Sequence, residues 1–129
     1  MPTTRATGQP AHHSLPVTPG DARRELEAIL RGTRWCRHAD AVVLAVHEAL
    51  TNADRHGGGV VRVEAFVQQG ALVVVVCDRG DGFEIADQKA ADPLAEHGRG
   101  LCLMSQIASR VEAGRDDGDF CLRLRFDPP

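Results

Sequence analysis

The chain has 129 residues, of which 43% are hydrophobic, and its formal net charge is −3. This length and apolar content predict one folded domain with its own core. The small negative charge argues against a nucleic-acid-binding surface, which normally carries a basic excess. The sequence contains neither an apolar run of membrane-spanning length nor an apolar signal core at its N-terminus, so we expect a cytoplasmic protein.

The N-terminal residues 1–13 are rich in Thr, Pro, Gly, Gln and His and have almost nothing to bury. They predict a disordered tail that precedes a domain over residues 14–129. His12 and His13 could hold a metal or accept a phosphoryl group, but no cluster of ligands surrounds them, and a solvated tail is the favoured interpretation. A short edge strand is expected from Ser14 to Val17, bounded by Pro16 and Pro19.

Two helices follow. The first is predicted from about Gly20 to Cys36, because Thr18 and Pro19 are start signals and apolar residues recur at helical spacing. Its outer side carries an arginine-rich surface, which is either a solvated face or a docking surface for an acidic partner. These arginines are Arg23, Arg24, Arg31 and Arg34. The second helix is predicted from Ala39 to His56, where three consecutive glycines end it.

The rest of the chain predicts strands around one further helix. Residues 61–67 alternate apolar and polar side chains, as in a half-buried strand, and residues 72–77 are continuously apolar, as in a central strand. A loop is expected over 83–97, a third helix over about 100–109, and then a closing hairpin. The predicted fold is an α/β two-layer sandwich, with helices on one face of a mostly antiparallel, mixed sheet and a polar second face.

The four cysteines are scattered without a CxxC pair, each in an apolar run. Cysteines in such runs usually behave as small buried hydrophobes. We therefore expect neither a metal site nor a disulfide among them. They are Cys36, Cys77, Cys102 and Cys121.

The second helix carries an organised polar face beside its apolar face. Glu48, Asn52 and Arg55 lie on one side of it, because residues three and four apart are neighbours on a helix surface. The segment His47-Glu-Ala-Leu-Thr-Asn-Ala-Asp-Arg-His56 is the most informative in the chain. A helix with two organised faces often holds a ligand.

Two glycine-containing motifs follow this helix. Asp78, Gly80 and Gly82 come directly after the apolar strand, in the pattern D-x-G-x-G, which on its own would favour an ordinary turn. Gly98-Arg99-Gly100 is predicted to precede the third helix, whose free N–H groups and positive dipole end could bind phosphate. No Walker-type phosphate loop occurs.

In this order, the three motifs resemble the N-box, G1-box and G2-box of the GHKL ATPase superfamily, which has the Bergerat fold. In its small size and in the segments HEALTNADRHG and GRGLCLM, the chain most resembles the bacterial anti-sigma-factor serine/threonine kinases. The resemblance covers roughly residues 14–127. It independently implies the same two-layer sandwich.

The resemblance implies an ATP pocket with Mg²⁺. Asp78 would accept a hydrogen bond from the adenine amine, while Gly80 and Gly82 let the backbone approach the ligand. Gly98 and Gly100 would face the phosphates. Asn52 would offer its carbonyl oxygen to Mg²⁺. These positions form the predicted nucleotide site.

Two residues of this site keep alternative interpretations. Glu48 is either the general base near the γ-phosphate or a helix-surface carboxylate paired with Arg55. Arg99 either adds charge at the γ-phosphate or is a solvated loop arginine.

The resemblance also implies a function. A protein of this kind would sequester a sigma factor and phosphorylate a serine on a STAS-type anti-sigma factor antagonist. One alternative is a nucleotide-dependent binding module without kinase turnover. Another is a detached ATPase domain of the histidine-kinase type, which we disfavour because too few residues precede the first helix for a dimerisation hairpin. Homodimerisation through the polar sheet face or an edge strand is a further expectation.

Overall fold

The computed structural model describes residues 12–80 and 96–129, and for residues 96–101 it describes the backbone alone. Five strands and three helices are present in these ranges, together with a 3-10 turn at Cys36–His38. The elements are β1 (His13–Leu15), α1 (Pro19–Leu30), α2 (Ala39–His56), β2 (Val60–Gln68), β3 (Ala71–Asp78), α3 (Glu96–Ile107), β4 (Arg110–Asp116) and β5 (Asp119–Phe126).

The strands form one sheet in the order β1-β2-β3-β5-β4. Every pairing among the described strands is antiparallel. We predicted a mostly antiparallel sheet that also contains parallel pairing, and the described strands have none. The apolar strand β3 lies at the centre between β2 and β5, as its composition predicts. Two-residue turns with positive φ at Gln69 and Gly70 and at Asp117 and Gly118 join the flanking hairpins.

The helices cover one face of the sheet, here called the inner face. The predicted apolar stripe of α2 is confirmed, since its members are at most 4% exposed. They are Val42, Val46, Ala49, Leu50 and Ala53. Below them the inner face presents Val74 and Val76 of β3 and the alternate residues of β5 that begin at Phe120. The two-layer sandwich is confirmed.

The first helix ends six residues earlier than we predicted, at Leu30 and not at Cys36. The hydroxyl of Thr33 donates to the Leu30 carbonyl oxygen and accepts the Trp35 N–H, and this local bonding replaces a further helical turn. Trp35 then inserts into the core, 1% exposed, and its indole Nε1 donates to the Asp127 carbonyl oxygen at 3.1 Å. This contact ties the connection between the helices to the end of the chain.

His12 and His13, which we predicted to lie in the tail, contact the sheet. β1 begins at His13, and His12 Nε2 lies 3.3 Å from Glu64 Oε1 while the His12 ring stacks on Phe66. Contacts with the neighbouring strand therefore order both histidines. Residues 1–11 lie outside the described part of the chain.

The prediction of four separate buried cysteines is wrong. Cys77 of β3 and Cys121 of β5 face each other across the sheet and form a disulfide. Their sequence separation is 44, so the pairing depends on strand order and cannot be read from local spacing. The other two, Cys36 and Cys102, are free thiols and exposed.

Candidate functional site

Asp78 is the last residue of β3 and is only 7% exposed. Gly80, two residues later, donates its N–H to Asp78 Oδ1 at 2.7 Å. That hydrogen bond folds the chain back toward the carboxylate as it leaves the sheet. The carboxylate is thus held by its own loop at the edge of the core, as the D-x-G-x-G pattern indicates.

Burial raises the pKa of the Asp78 carboxyl, because desolvation disfavours the charged form. The Gly80 N–H and the guanidinium of Arg115 act in the opposite direction, and nearby Asp119 adds to the rise. A carboxylate in this position is incompletely solvated. An additional hydrogen-bond donor from a ligand would relieve that cost.

Two glycines, Gly57 and Gly80, lie against this carboxylate. We call this pair the glycine cradle. A Cβ at Gly57 would lie 2.3 Å from Asp78 Cγ, and a Cβ at Gly80 would lie 2.8 Å from Gly57 Cα. Any side chain at either position would therefore displace backbone or the carboxylate. The end of α2 and the end of β3 meet at this point because neither glycine carries a side chain.

The polar residues of α2 extend away from the glycine cradle along one helix. Asn52 and Glu48 are half-buried, in contrast to the exposed Arg55. At a rise of 1.5 Å per residue, Asn52 lies roughly 8 Å and Glu48 roughly 14 Å along the helix axis from Gly57. From Asp78, which lies beside the end of the helix, the amide of Asn52 and then the carboxylate of Glu48 follow along its axis.

The helix α3 begins at Glu96, four residues before the predicted start. Gly98, Arg99 and Gly100 therefore lie inside its first turns and do not precede it. An acidic residue in the first turn is favourable to a helix, which allows it to start before the glycines. The N–H groups of the first three helical residues lack partners within the helix, and of the three predicted phosphate-binding positions only Gly98 is among them.

Gly82 lies outside the described residues, as does the predicted loop up to residue 95. The structure therefore brings together Asp78 and Gly80, and it aligns Glu48 and Asn52 on the helix that ends beside them.

Two residues of the site escaped the sequence analysis. Gly57 looked like a flexible helix terminator, yet its packing against Asp78 fixes the geometry. Arg115 of β4 donates to the carbonyl oxygens of Gly80 at 3.2 Å and Gly118 at 3.0 Å, which ties the β4–β5 turn to the loop after β3. Neither contact has a local sequence pattern, because each joins segments far apart in the chain.

Asp78 has the chemistry to bind an amine such as that of adenine, since its buried carboxylate is an acceptor for an exocyclic N–H. A guanine would present a carbonyl oxygen to the same carboxylate, acceptor against acceptor.

Comparisons with known proteins identify the family of the chain. Residues 14–126 match the family described as the histidine kinase-like ATPase domain. Two curated relatives are named serine-protein kinase RsbW, from Bacillus licheniformis (35% identical, covering 58% of this chain and 56% of that protein) and Bacillus pumilus (32%, covering 64% and 62%). A third, from Clostridium acetobutylicum, is named anti-sigma F factor (33%, covering 61% and 62%).

The chain spans little more than half the length of these curated relatives. Among solved structures, the RsbU and RsbW domains of a Mycobacterium tuberculosis protein superpose with a TM-score of 0.54 at 22% identity, covering 92% of this chain and 31% of that one. The Acinetobacter baumannii histidine kinase AdeS gives 0.53 at 9% identity, covering 98% and 72%. At these identities the two structures show a shared fold.

No helix in the described ranges is both long and apolar enough to cross a membrane. The match over nearly the whole domain, together with the fold and the buried acid after the central strand, shows that this chain belongs to the histidine kinase-like ATPase domain family.

Proposed function

We propose that this protein is an ATP-dependent serine/threonine protein kinase that also acts as an anti-sigma factor. The observation that carries the proposal is the glycine cradle around Asp78, whose buried carboxylate can accept a further hydrogen bond from a ligand. The names of the curated relatives, serine-protein kinase and anti-sigma factor, support the kinase and regulatory parts.

In this proposal each residue has one task along the nucleotide. Asp78 accepts a hydrogen bond from the adenine amine, and the N–H groups at the start of α3 face the phosphates. Asn52 supplies an oxygen ligand to Mg²⁺, which would neutralise charge on the phosphates when bound. Glu48 lies one turn further from the adenine end and therefore beside the γ-phosphate.

The phosphotransfer step then needs one proton acceptor. Glu48 takes the proton from the hydroxyl of an incoming serine, whose oxygen attacks the γ-phosphorus as the bond to the bridging oxygen breaks and ADP leaves. The serine belongs to an anti-sigma factor antagonist of the STAS type. The products are ADP and a phosphoserine on that partner.

The arginine-rich surface, formed by α1 and by the connection that follows it, supports a protein partner. Arg23, Arg24, Arg31 and Arg34 are all exposed. Arg24 pairs with Asp21, and Arg31 lies 4.0 Å from Glu27, so carboxylates on the helix already orient part of this surface. We propose that an acidic segment of the sigma factor or of the antagonist docks here. A homodimer through the polar sheet face or through an edge strand stays a prediction.

The decisive experiment incubates the protein with γ-labelled ATP, Mg²⁺ and candidate antagonists, and asks whether a serine on the antagonist acquires label. Glu48→Gln should leave ATP affinity nearly unchanged and lower phosphotransfer by about 10²–10⁴, the usual effect of removing a general base. Asp54→Asn is the matched control, because Asp54 is an exposed carboxylate on the same helix. Equal transfer rates for the parent and Glu48→Gln would refute the base.

The pocket itself is tested separately. Asp78→Asn should weaken ADP and ATP binding by roughly tenfold to a hundredfold, the worth of one buried hydrogen bond. Asn52→Ala should weaken ATP binding only when Mg²⁺ is present. If the parent binds ATP tightly but labels no antagonist, the protein is a nucleotide-gated binding module. Unchanged nucleotide affinity in Asp78→Asn would reject the pocket.

A further inference from the structure

The disulfide lies on the outer face of the sheet, opposite to the helices. Cys77 and Cys121 are direct partners in the β3–β5 ladder, and neither belongs to the helix-covered core. The next pair in the ladder is Asp78 with Phe120, which points to the other face because side chains alternate along a strand. The sulfurs therefore have surroundings of their own.

A cation lies against both sulfurs. Arg62 Nη2 is 3.2 Å from Cys77 Sγ and 3.7 Å from Cys121 Sγ. Asp116 at 2.7 Å and Glu64 at 3.2 Å hold this guanidinium in place, and the hydrogen bond to Asp116 is the main cause that raises the pKa of Arg62. A fixed positive charge beside a sulfur stabilises its thiolate, which is the reactive form in disulfide exchange.

A groove of about 430 Å³ opens beside one of the two sulfurs. Cys121 lines it and is 8% exposed, whereas Cys77 is 0% exposed and does not line it. Three arginines and two carboxylates form its polar walls, namely Arg62, Arg115, Arg123, Glu112 and Asp116. Gly114 pairs with Cys121 on β4, and a Cβ there would meet nothing within 4 Å, so the approach to this sulfur is open.

We propose that the Cys77–Cys121 pair is a reversible thiol–disulfide exchange site for small anionic thiols, with Cys121 as the exchanging sulfur. The site lies on the opposite face of the sheet from Asp78 and shares Arg115 with the nucleotide site, and the proposal does not depend on ATP binding. Access selects Cys121. Arg123, whose partners Gln68 and Phe66 are neutral, selects an anion, and Arg62 stabilises the thiolate of Cys77, the sulfur it approaches more closely.

The exchange balances without a further reagent. An incoming thiolate attacks Cys121 Sγ, the bond between the two cysteine sulfurs breaks, and Cys77 leaves as a thiolate beside Arg62. A second small thiolate then attacks the small-molecule sulfur of the mixed disulfide and releases Cys121. Two small thiols are oxidised to their disulfide and the protein pair is reduced by two electrons. The reverse sequence oxidises the protein.

The test follows the oxidation of reduced protein in a Cys36→Ser/Cys102→Ser background, which removes the two exposed thiols. The probes are the disulfide of 2-mercaptoethanesulfonate and cystamine, which share a two-carbon skeleton and carry opposite charges. Each rate is divided by that of the same disulfide with free 2-mercaptoethanol. We expect the anionic probe to react faster by at least about fivefold, the effect of two unit charges about 4 Å apart in water.

Mass spectrometry of single-cysteine variants identifies the reacting sulfur. Cys77→Ser should accumulate one adduct on Cys121, and Cys121→Ser should form an adduct on the buried Cys77 far more slowly. Arg62→Gln should slow oxidation by either probe, whereas Arg23→Gln, a charge-matched change on α1, should not. Circular dichroism on every variant separates loss of reactivity from loss of fold.

Three results would overturn the proposal. The first is equal normalised rates for the two probes at low salt, since the preference should be present there and fade as salt screens it. The second is equal adduct formation on Cys77 and Cys121. The third is a folded protein whose disulfide resists dithiothreitol without denaturant.

Discussion

The two faces of the sheet differ in what covers them. On the inner face, helices bury a continuous aliphatic layer that includes Leu122, Leu124 and Val74. On the outer face, Val73 is 1% exposed although no helix among the described residues covers it, and it lies beside Arg123 and Arg125 of β5. The Arg123 guanidinium lies over the Phe66 ring at 5.5 Å and donates to Gln68 Oε1.

The difference shows two ways to bury the same strand. The inner face excludes water with apolar side chains from other elements, whereas the outer face does so with the aliphatic stems of long charged residues whose heads stay in water. The central strand can therefore be apolar on both sides. Apolar packing should therefore dominate the contribution of the inner face to stability. The disulfide and the charged side chains should dominate that of the outer face.

The largest effect is expected on the inner face. Leu124→Ala should lower the free energy of unfolding by about 2–5 kcal/mol, because a fully buried leucine leaves a cavity under the helices. Arg123→Ala, one residue earlier on the outer face, should cost less than about 1 kcal/mol. Urea denaturation of both variants measures the contrast, and comparable losses would mean that the outer face is packed as tightly as the core.

The disulfide should provide the next largest effect, now on the outer face. Reducing Cys77–Cys121 should lower the free energy of unfolding by about 2–4 kcal/mol, since the bond closes a loop with a separation of 44 residues. Urea denaturation with and without reductant tests this. The double variant Cys77→Ser/Cys121→Ser should be insensitive to reductant, and equal midpoints for oxidised and reduced parent would contradict the prediction.

The glycine cradle should respond to a single added methyl group. Gly57→Ala would place a Cβ against the Asp78 carboxylate, and overpacking of this kind costs about 1–3 kcal/mol. Displacing the carboxylate should also weaken ADP binding by roughly tenfold or more. Gly32→Ala is the matched control, because the nearest atom to its added Cβ is 3.9 Å away. Calorimetry that finds equal ADP affinity in the two variants would show that Gly57 does not set the pocket.

The smallest effect on stability should come from the charge of Asp78. Since burial raises its folded-state pKa above the unfolded value, its favourable contribution is complete below the unfolded pKa and is lost as pH rises through the folded pKa. Asp78→Asn should therefore stabilise the nucleotide-free protein at neutral pH, and the gain should fade under acidic conditions. Denaturation across a pH series measures this gain in stability, with Asp54→Asn as the control. A gain that grows toward low pH would contradict a raised pKa for Asp78.

Local patterns predicted the elements that depend on them. The helical spacing of apolar residues and the three terminal glycines placed α2 from Ala39 to His56, as observed. The acid after an apolar strand placed Asp78 at the edge of the core. The alternation in β5 identified its inner side correctly, because a strand half-covered by helices must alternate.

What escaped the sequence depends on contacts between distant segments. Cys77 meets Cys121 only because β5 lies beside β3, and Gly57 meets Asp78 only because α2 ends above the end of that strand. The early end of α1 depends on the hydroxyl of Thr33, a residue whose role as a stop is visible only in its hydrogen bonds. Local spacing contains none of this information.

Trp35 gives the molecule a built-in optical reporter. It is the only tryptophan, and the chain has no tyrosine, so ultraviolet emission excited near the indole band arises from one buried position. Because its Nε1–H bonds the Asp127 carbonyl oxygen, that emission reports whether the end of the chain is docked on the core. Unfolding can thus be followed by fluorescence in every variant proposed above without adding a label, and without changing any residue of the nucleotide site or the outer face.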